Sequence, residues 1–141
     1  MNGRYDACVT DAPFHVGSIT SPSRLVMGTG GMRDLGELRS ALVASEATVA
    51  TVALRRVSAD VDGSVYDLLK ELAFDLLPNT AGCYTVADVL TTAELAREAF
   101  ETSCVKLEII GDDVTLLPDP VATVEAANQL VERGFEVWAY T

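Results

Sequence analysis

The hydrophobic pattern of this chain alternates between short β-type runs and longer helix-type stretches. Runs rich in valine, leucine, isoleucine and small residues predict five strands, at 24–28, 48–54, 74–77, 105–110 and 135–140. Between them, apolar positions three and four residues apart predict four helices, at 34–45, 64–72, 85–101 and 119–133. Thr85 with Asp88 three residues later comes close to a capping box, and Gly134 suits the end of the last helix.

A hairpin or strand pair is expected at the start of this series, and its second strand overlaps the first of the five. Residues 14–19 and 23–27 flank Thr20-Ser21-Pro22, a sequence typical of a turn. We therefore expect an N-terminal hairpin at about 14–27. Pro78-Asn79 is a second turn signal, and we expect it to stop the strand at 74–77.

Alternation of strands and helices predicts an α/β fold with a parallel sheet and right-handed crossovers. Two architectures fit. An open flavodoxin-like sheet would be complete with five strands. Five strands and four helices are also a little over half of a (β/α)8 TIM barrel, which typically needs about 250 residues. In either case residues 1–141 belong to a single domain, without a linker or a sharp change in composition.

One lysine stands inside the most apolar strand pattern, the run CVKLEIIGD from Cys104 to Asp112. Strand side chains alternate between two faces, so Lys106 shares a face with Glu108 while Leu107 points the other way. Burying an ammonium is costly unless it is paired or loses its proton. A desolvated lysine is the usual nucleophile for imine formation with a ketone or aldehyde. Glu108, about 7 Å along the strand, could move protons for it.

The pair also bears on the architecture, because a lysine and a glutamate on one face of a mid-sheet strand suit a barrel interior better than a face covered by helices. The non-catalytic interpretation of Lys106 is a lysine on an exposed edge strand. Glu108 could likewise be only its ion-pair partner. Polar residues follow the carboxyl ends of all five predicted strands, at 28–31, 55–56, 79–80, 111–113 and 140–141.

Composition narrows the classes of function. The net charge is −11 and the chain has no Lys/Arg run, which argues against nucleic acid and anionic membranes as partners. Three widely spaced cysteines argue against a disulfide framework or a zinc site and fit a reducing compartment. The N-terminus has no basic region followed by an apolar one, so we expect a cytoplasmic protein. His15 is the single histidine, which excludes a histidine-based metal centre.

Other strand ends offer candidate substrate contacts, each with an alternative interpretation. Gly28 and Gly30 could cradle a phosphate with backbone N–H groups, or form a simple glycine turn. Arg55 could meet an anionic substrate or form a salt bridge. Asn79 and Thr80 could contact substrate, although such residues after a proline commonly bond their own backbone.

Several longer strings resemble one known family, thiazole synthase of thiamin biosynthesis. The resemblance runs from Phe14 onward and includes VATVALRRV at 49–57, LLPNTAGCYT at 76–85, KLEIIGD at 106–112 and TLLPD at 115–119. That family is a (β/α)8 barrel whose members form oligomers. The resemblance implies a synthase or transferase in which Lys106 forms a Schiff base (imine) with 1-deoxy-D-xylulose 5-phosphate and Glu108 acts as acid and base. It further implies sulfur from the thiocarboxylate of a ubiquitin-like carrier protein, and no bound cofactor or metal.

Two departures from the family bear on function. The family is nearly twice as long, and its second half carries an acidic catalytic residue and phosphate-binding glycine loops; we therefore expect this chain to be a fragment or part of a larger assembly. The usual GTGK after strand one reads GTGGM at 28–32, and Glu46 stands where glycine is usual. Loss of that lysine favours an alternative substrate, a hexose phosphate converted to a thiosugar. A non-catalytic fragment or binding domain is the remaining alternative.

Overall fold

A computed structural model describes residues 12–32, 34–54 and 64–141. The elements in these residues are, in chain order, β1 Phe14–Val16, β2 Ile19–Ser21, β3 Val26–Gly28, α1 Leu35–Ser45, β4 Val49–Ala53, α2 Val65–Glu71, β5 Asp75–Asn79, α3 Val86–Phe100, β6 Cys104–Leu107, α4 Pro120–Glu132 and β7 Glu136–Ala139. None of these helices has the length and apolar character needed to cross a bilayer.

The five strands predicted from the alternating pattern form one parallel sheet in the order β3-β4-β5-β6-β7. Each strand therefore pairs with the next strand of the chain, as in a (β/α)8 barrel. A flavodoxin-like sheet has the order 2-1-3-4-5, so that alternative is wrong. The five strands and four helices are confirmed as part of a TIM-barrel-like fold.

Side-chain caps explain where the helices begin. Ser64 and Asp67 form a complete capping box at α2, in which each side chain bonds the other residue's backbone N–H. Thr85 accepts a hydrogen bond from the Asp88 N–H at the start of α3. Asp119 accepts hydrogen bonds from two backbone N–H groups at the start of α4. The first residue of this helix is a proline, which has no N–H to satisfy.

The N-terminal hairpin is present but shorter than expected. β1 and β2 pair antiparallel from Phe14 opposite Ser21 to Val16 opposite Ile19, so the hairpin covers 14–21 rather than 14–27. Its turn is at Gly17-Ser18 and not at 20–22, because Gly17 adopts the positive φ that a two-residue hairpin turn takes at its first central position. The segment 26–28 belongs to the parallel sheet instead.

Two strands differ from their predicted bounds. β5 continues through Pro78 to Asn79 instead of stopping before them. Pro78 has no N–H to donate, but the parallel register of β5 with β4 continues through it, from Asp75 opposite Val49 to Asn79 opposite Ala53. β6 is shorter than predicted and ends at Leu107, because the next peptide group is bonded by a side chain rather than by a neighbouring strand.

The sheet has an outer face beneath the helices and an inner face. On the outer face, one core cluster lies under α1, α2 and α3 and a second lies under α3 and α4. On the inner face, Ile19 of the hairpin packs with Val49 and Cys104, the first residues of β4 and β6, and with Leu77 of β5. The hairpin therefore closes the amino end of the inner face and leaves the carboxyl end open.

Candidate active site

Lys106 and Glu108 lie on the inner face and form an ion pair. The Lys106 Nζ is 2.8 Å from the Glu108 Oε1, and the two side chains are 34% and 22% exposed. The alternation predicted for this strand is confirmed, since Val105 and Leu107 are fully buried on the outer face. The ammonium is therefore paired and partly open to solvent, in place of the desolvated lysine that the apolar strand pattern indicated.

The open side of the inner face forms a cavity of about 490 Å³. Lys106 is one of the residues that line this cavity. The other lining residues lie on the four strands β3, β4, β5 and β7 and on the chain that follows β7: Val26, Gly28, Thr51, Leu77, Trp138, Ala139, Tyr140 and Thr141. A small molecule that entered this cavity would meet the lysine amine directly.

A second cavity of about 430 Å³ adjoins the same pair. Its lining includes Lys106 and Glu108 together with loop residues, among them Ala81, Gly82 and Leu116. Lys106 and Tyr140 border both cavities. Lys106 is thus accessible from two sides, along the inner face and from the loops above the carboxyl ends of β5 and β6, whereas Glu108 borders only the second cavity.

Tyr140 and Trp138 are site residues that the strand-by-strand analysis did not name. The Lys106 Nζ lies 5.6 Å from the centre of the Tyr140 ring, within cation–π range. Trp138 is opposite Lys106 in the register between β6 and β7. The available signal was the position of residues 140–141 after the last strand, where the other parallel strands also carry polar residues.

Asn79 and Thr80 are brought beside the pair. Asn79 is opposite Lys106 in the register between β5 and β6, and its Oδ1 accepts a hydrogen bond from the Ala81 N–H. The Thr80 side chain is fully buried, and its hydroxyl donates a hydrogen bond to the Glu108 carbonyl and accepts one from the Glu108 N–H. Neither residue borders the two cavities.

The glycine segment after β3 is divided between the site and its surroundings. Gly28 lines the larger cavity, whereas Gly30 is exposed and is not part of the lining. Thr29, between them, is buried and donates a hydrogen bond to the Thr51 carbonyl. Gly31 has a φ of +86°, a conformation that a lysine at this position could adopt only with strain.

The remaining candidates contribute little to the site. Arg55 lies outside the described residues. Asp112 accepts three hydrogen bonds from Val114 and Thr115, which hold the pKa of its carboxyl below the ordinary value and fix the loop. His15 belongs to the hairpin, where its Nδ1 is 3.0 Å from the Thr20 hydroxyl. Among residues 12–32, 34–54 and 64–141, no cluster of three histidine, cysteine or acidic side chains could hold a metal ion.

The fold and site define a class of protein, a parallel α/β barrel-type sheet with a lysine–glutamate pair at the carboxyl ends of its strands. Residues 15–141 match the sequence model of one family of that class, described as thiazole biosynthesis protein ThiG. The chain belongs to the ThiG family.

One solved structure is similar to this chain in fold and in sequence. The chain is similar to a chain in the crystal structure of the Amycolatopsis orientalis BexX/CysO complex, with 27% sequence identity and a TM-score of 0.72. The match covers 92% of the present chain and 54% of the other. The present chain therefore spans about half the length of the solved protein that it matches.

Proposed function

We propose that this protein is a thiazole-synthase-like enzyme that incorporates sulfur into a sugar-derived product. Lys106 forms an imine with the ketone of a ketose phosphate, 1-deoxy-D-xylulose 5-phosphate, and Glu108 is the acid and base. The observation that carries the proposal is the 2.8 Å ion pair of these residues, facing a cavity in a chain of the ThiG family.

The pair supplies both proton transfers that imine formation needs. Glu108 takes a proton from the Lys106 ammonium, and the neutral amine then attacks the ketone carbon. The attacking nitrogen then loses a proton and the carbonyl oxygen gains one, which gives a neutral carbinolamine. Glu108 returns its proton to the departing hydroxyl as the carbon–nitrogen double bond forms, so that one water leaves for each imine.

Substrate binding is proposed for residues around this amine. Gly28 has no side chain to fill the larger cavity, which leaves room beside Lys106. Gly30 and Asn79 are further candidates, because Gly30 follows the end of β3 and Asn79 is the last residue of β5, opposite Lys106 in the sheet register. Arg55 remains a proposed contact for the substrate's phosphate, since an arginine binds phosphate through paired hydrogen bonds.

A ubiquitin-like carrier protein is the proposed sulfur donor, through a C-terminal thiocarboxylate. The crystal structure of BexX in complex with CysO supports this proposal, because it shows a similar fold binding a second protein. We also propose a homo-oligomer in the cytoplasm, with no cofactor held by the protein itself.

A hexose phosphate is the second candidate substrate, with a thiosugar as product. The observation that favours it is Gly31, which stands where the thiazole synthases usually have lysine in the GTGK segment. Its positive φ is a backbone conformation that glycine adopts without the strain that a side chain would cause. The residue contributes no cation to the mouth of the site.

Borohydride trapping tests these proposals with little ambiguity, because the chain has only two lysines, Lys70 and Lys106. The protein is incubated with 1-deoxy-D-xylulose 5-phosphate or with glucose 6-phosphate, each with borohydride, and its intact mass and peptide map are measured. We expect one sugar to give a single adduct on Lys106. Lys106→Arg should lose the adduct, and Lys70→Arg, a variant on α2, should keep it.

The sugar that reacts decides between the two candidates. An adduct with the pentulose supports the thiazole synthase, and an adduct with the hexose supports the thiosugar synthase. Equal labelling of Lys70 and Lys106 would indicate non-specific chemistry and contradict the catalytic proposal. No adduct with either sugar would leave a non-catalytic or binding domain.

A further inference from the structure

The Thr80 hydroxyl is fully buried and forms two hydrogen bonds with the backbone of one residue, Glu108. It donates a hydrogen bond to the Glu108 carbonyl and accepts one from the Glu108 N–H, both at 2.8 Å. A threonine hydroxyl has one proton to donate, and here that proton is committed to the backbone. Because the side chain has no exposed surface and borders neither cavity, it is not placed to bind substrate.

Thr80 also holds the residue that carries the amine. Its own backbone N–H donates a hydrogen bond of 3.1 Å to the Lys106 carbonyl. Thr80 therefore contacts the peptide groups on either side of Leu107, and these groups belong to the two members of the ion pair.

This arrangement compensates for the end of a strand. β6 ends at Leu107, so the Glu108 peptide groups have no partner in the sheet ladder. Buried peptide groups without partners are costly, and one hydroxyl satisfies both of them. The same two bonds fix the backbone from which the Glu108 carboxylate reaches the Lys106 ammonium.

We infer that Thr80 is a positioning residue that sets the Glu108 carboxylate against Lys106. This inference rests on the proposed function for its catalytic consequence. It replaces the substrate contact that sequence position suggested for Thr80. A small displacement of a catalytic group is enough to lower a rate strongly, since misplacement by about 1 Å can cost about 100-fold.

Two substitutions separate the hydroxyl from the volume of the side chain. Thr80→Val has nearly the same shape and no hydroxyl, whereas Thr80→Ser keeps the hydroxyl and loses a methyl group. We expect Thr80→Val to slow imine trapping roughly 10- to 100-fold at saturating sugar, with little change in the sugar concentration for half-maximal rate. The pH dependence of trapping should also change, because the proton-transfer partner is displaced. Thr80→Ser should keep the trapping rate within about threefold of wild type and should leave the pH profile unchanged.

Ser21→Ala controls for the loss of a buried hydroxyl as such. Ser21 is fully buried, donates to the Ser23 carbonyl and accepts from the Ser23 N–H, at the end of the hairpin rather than beside Lys106. We expect Ser21→Ala to lower stability without changing the trapping rate per folded molecule. Equal rate losses in Ser21→Ala and Thr80→Val would overturn the inference. If Thr80→Val does not fold, Thr80→Cys takes its place, since a thiol is a weaker donor and acceptor of similar size, and at least a threefold loss is expected.

A second measurement does not depend on imine formation with a sugar. Acetylation with acetic anhydride labels lysine amines without forming an imine, and the rate at Lys106 is read by peptide mass spectrometry with Lys70 as the internal reference. An amine that is held in an ion pair with a carboxylate is less available to the reagent. We expect Thr80→Val to raise the Lys106 rate at least twofold and Thr80→Ser to leave it unchanged. An unchanged rate in Thr80→Val would overturn the positioning role, whereas a wild-type protein that traps no sugar would overturn only the proposed function.

Discussion

Lys106 and Leu107 are neighbours on β6, yet the lysine side chain faces the open cavity and the leucine side chain is fully buried. Leu107 belongs to the core cluster beneath α3 and α4, together with Val89 and Leu130. One short strand therefore supplies the proposed nucleophile on one face and part of the core on the other.

Substitutions at these two positions should have opposite consequences. Leu107→Ala removes a fully buried side chain and should lower the free energy of unfolding by about 2–5 kcal/mol. Lys106→Met should change it by less than about 1 kcal/mol, because the lysine is partly exposed and its ion pair contributes little to stability. Urea unfolding followed by circular dichroism measures both. A larger loss in Lys106→Met than in Leu107→Ala would contradict the orientation of β6.

Glu108 is expected to determine the rate of imine formation rather than stability. Glu108→Gln keeps the shape of the side chain but cannot transfer a proton, so the borohydride trapping rate should fall roughly 100-fold or more. Glu94→Gln is the matched control, because Glu94 is an exposed carboxylate on α3 that also pairs with basic residues. Single-turnover trapping at several pH values makes the comparison. A rate in Glu108→Gln within threefold of Glu94→Gln would remove Glu108 from the proton transfers.

The sequence pattern predicted the elements of the parallel sheet because each one carries its own local signal. The strand at Val49–Ala53 is a continuous run of small and β-branched residues, and α3 begins at a threonine cap. Alternation along β6 likewise placed Lys106 and Glu108 on one face. These features depend on residues close together in the chain, which is why the pattern contains them.

Other features depend on contacts between distant residues. The separation expected for Lys106 and Glu108 was about 7 Å from strand geometry, but the charged ends of the side chains meet at 2.8 Å. The hydroxyl of Thr80 bonds a residue 28 positions away, and this pairing follows only from the register of β5 and β6. The predicted position of the hairpin turn was wrong because Thr20-Ser21-Pro22 has the composition of a turn. The residue with the positive φ that the hairpin turn requires is Gly17.

Glu46 should be replaceable by glycine with a gain in stability. It caps α1 with a φ of 52° and a ψ of 16°, a left-handed conformation that costs about 1–2 kcal/mol for a residue with a side chain. We expect Glu46→Gly to raise the free energy of unfolding by about 1 kcal/mol and the melting temperature by about 2–4 °C. Ala44→Gly, two residues earlier within the helix, should instead lower the free energy of unfolding by about 1 kcal/mol. Destabilisation by both substitutions would contradict the left-handed cap at Glu46.

Attachment of the hairpin to the sheet should depend on pH through Glu136. The Glu136 Oε2 accepts hydrogen bonds from the Ser18 N–H at 2.7 Å and the Ser18 hydroxyl at 2.9 Å. These bonds, the backbone one first, lower the pKa of Glu136 below its ordinary value of 4.5, and the neighbouring Cys104 thiol donates a weaker one. The same carboxylate leaves no room for a side chain at Gly17.

Because the pKa of Glu136 is lower in the folded protein than in the unfolded chain, folding is favoured by the ionised carboxylate. That contribution to stability is present above the ordinary value of 4.5 and is lost as the pH falls through the lower folded value. We expect Glu136→Gln to be less stable than wild type at pH 7 and to lose less stability on acidification, in urea titrations between about pH 7 and 3. Glu132→Gln, an exposed residue at the end of α4, should follow the wild-type dependence. Parallel curves for wild type and Glu136→Gln would show that the carboxylate does not hold the hairpin against the sheet.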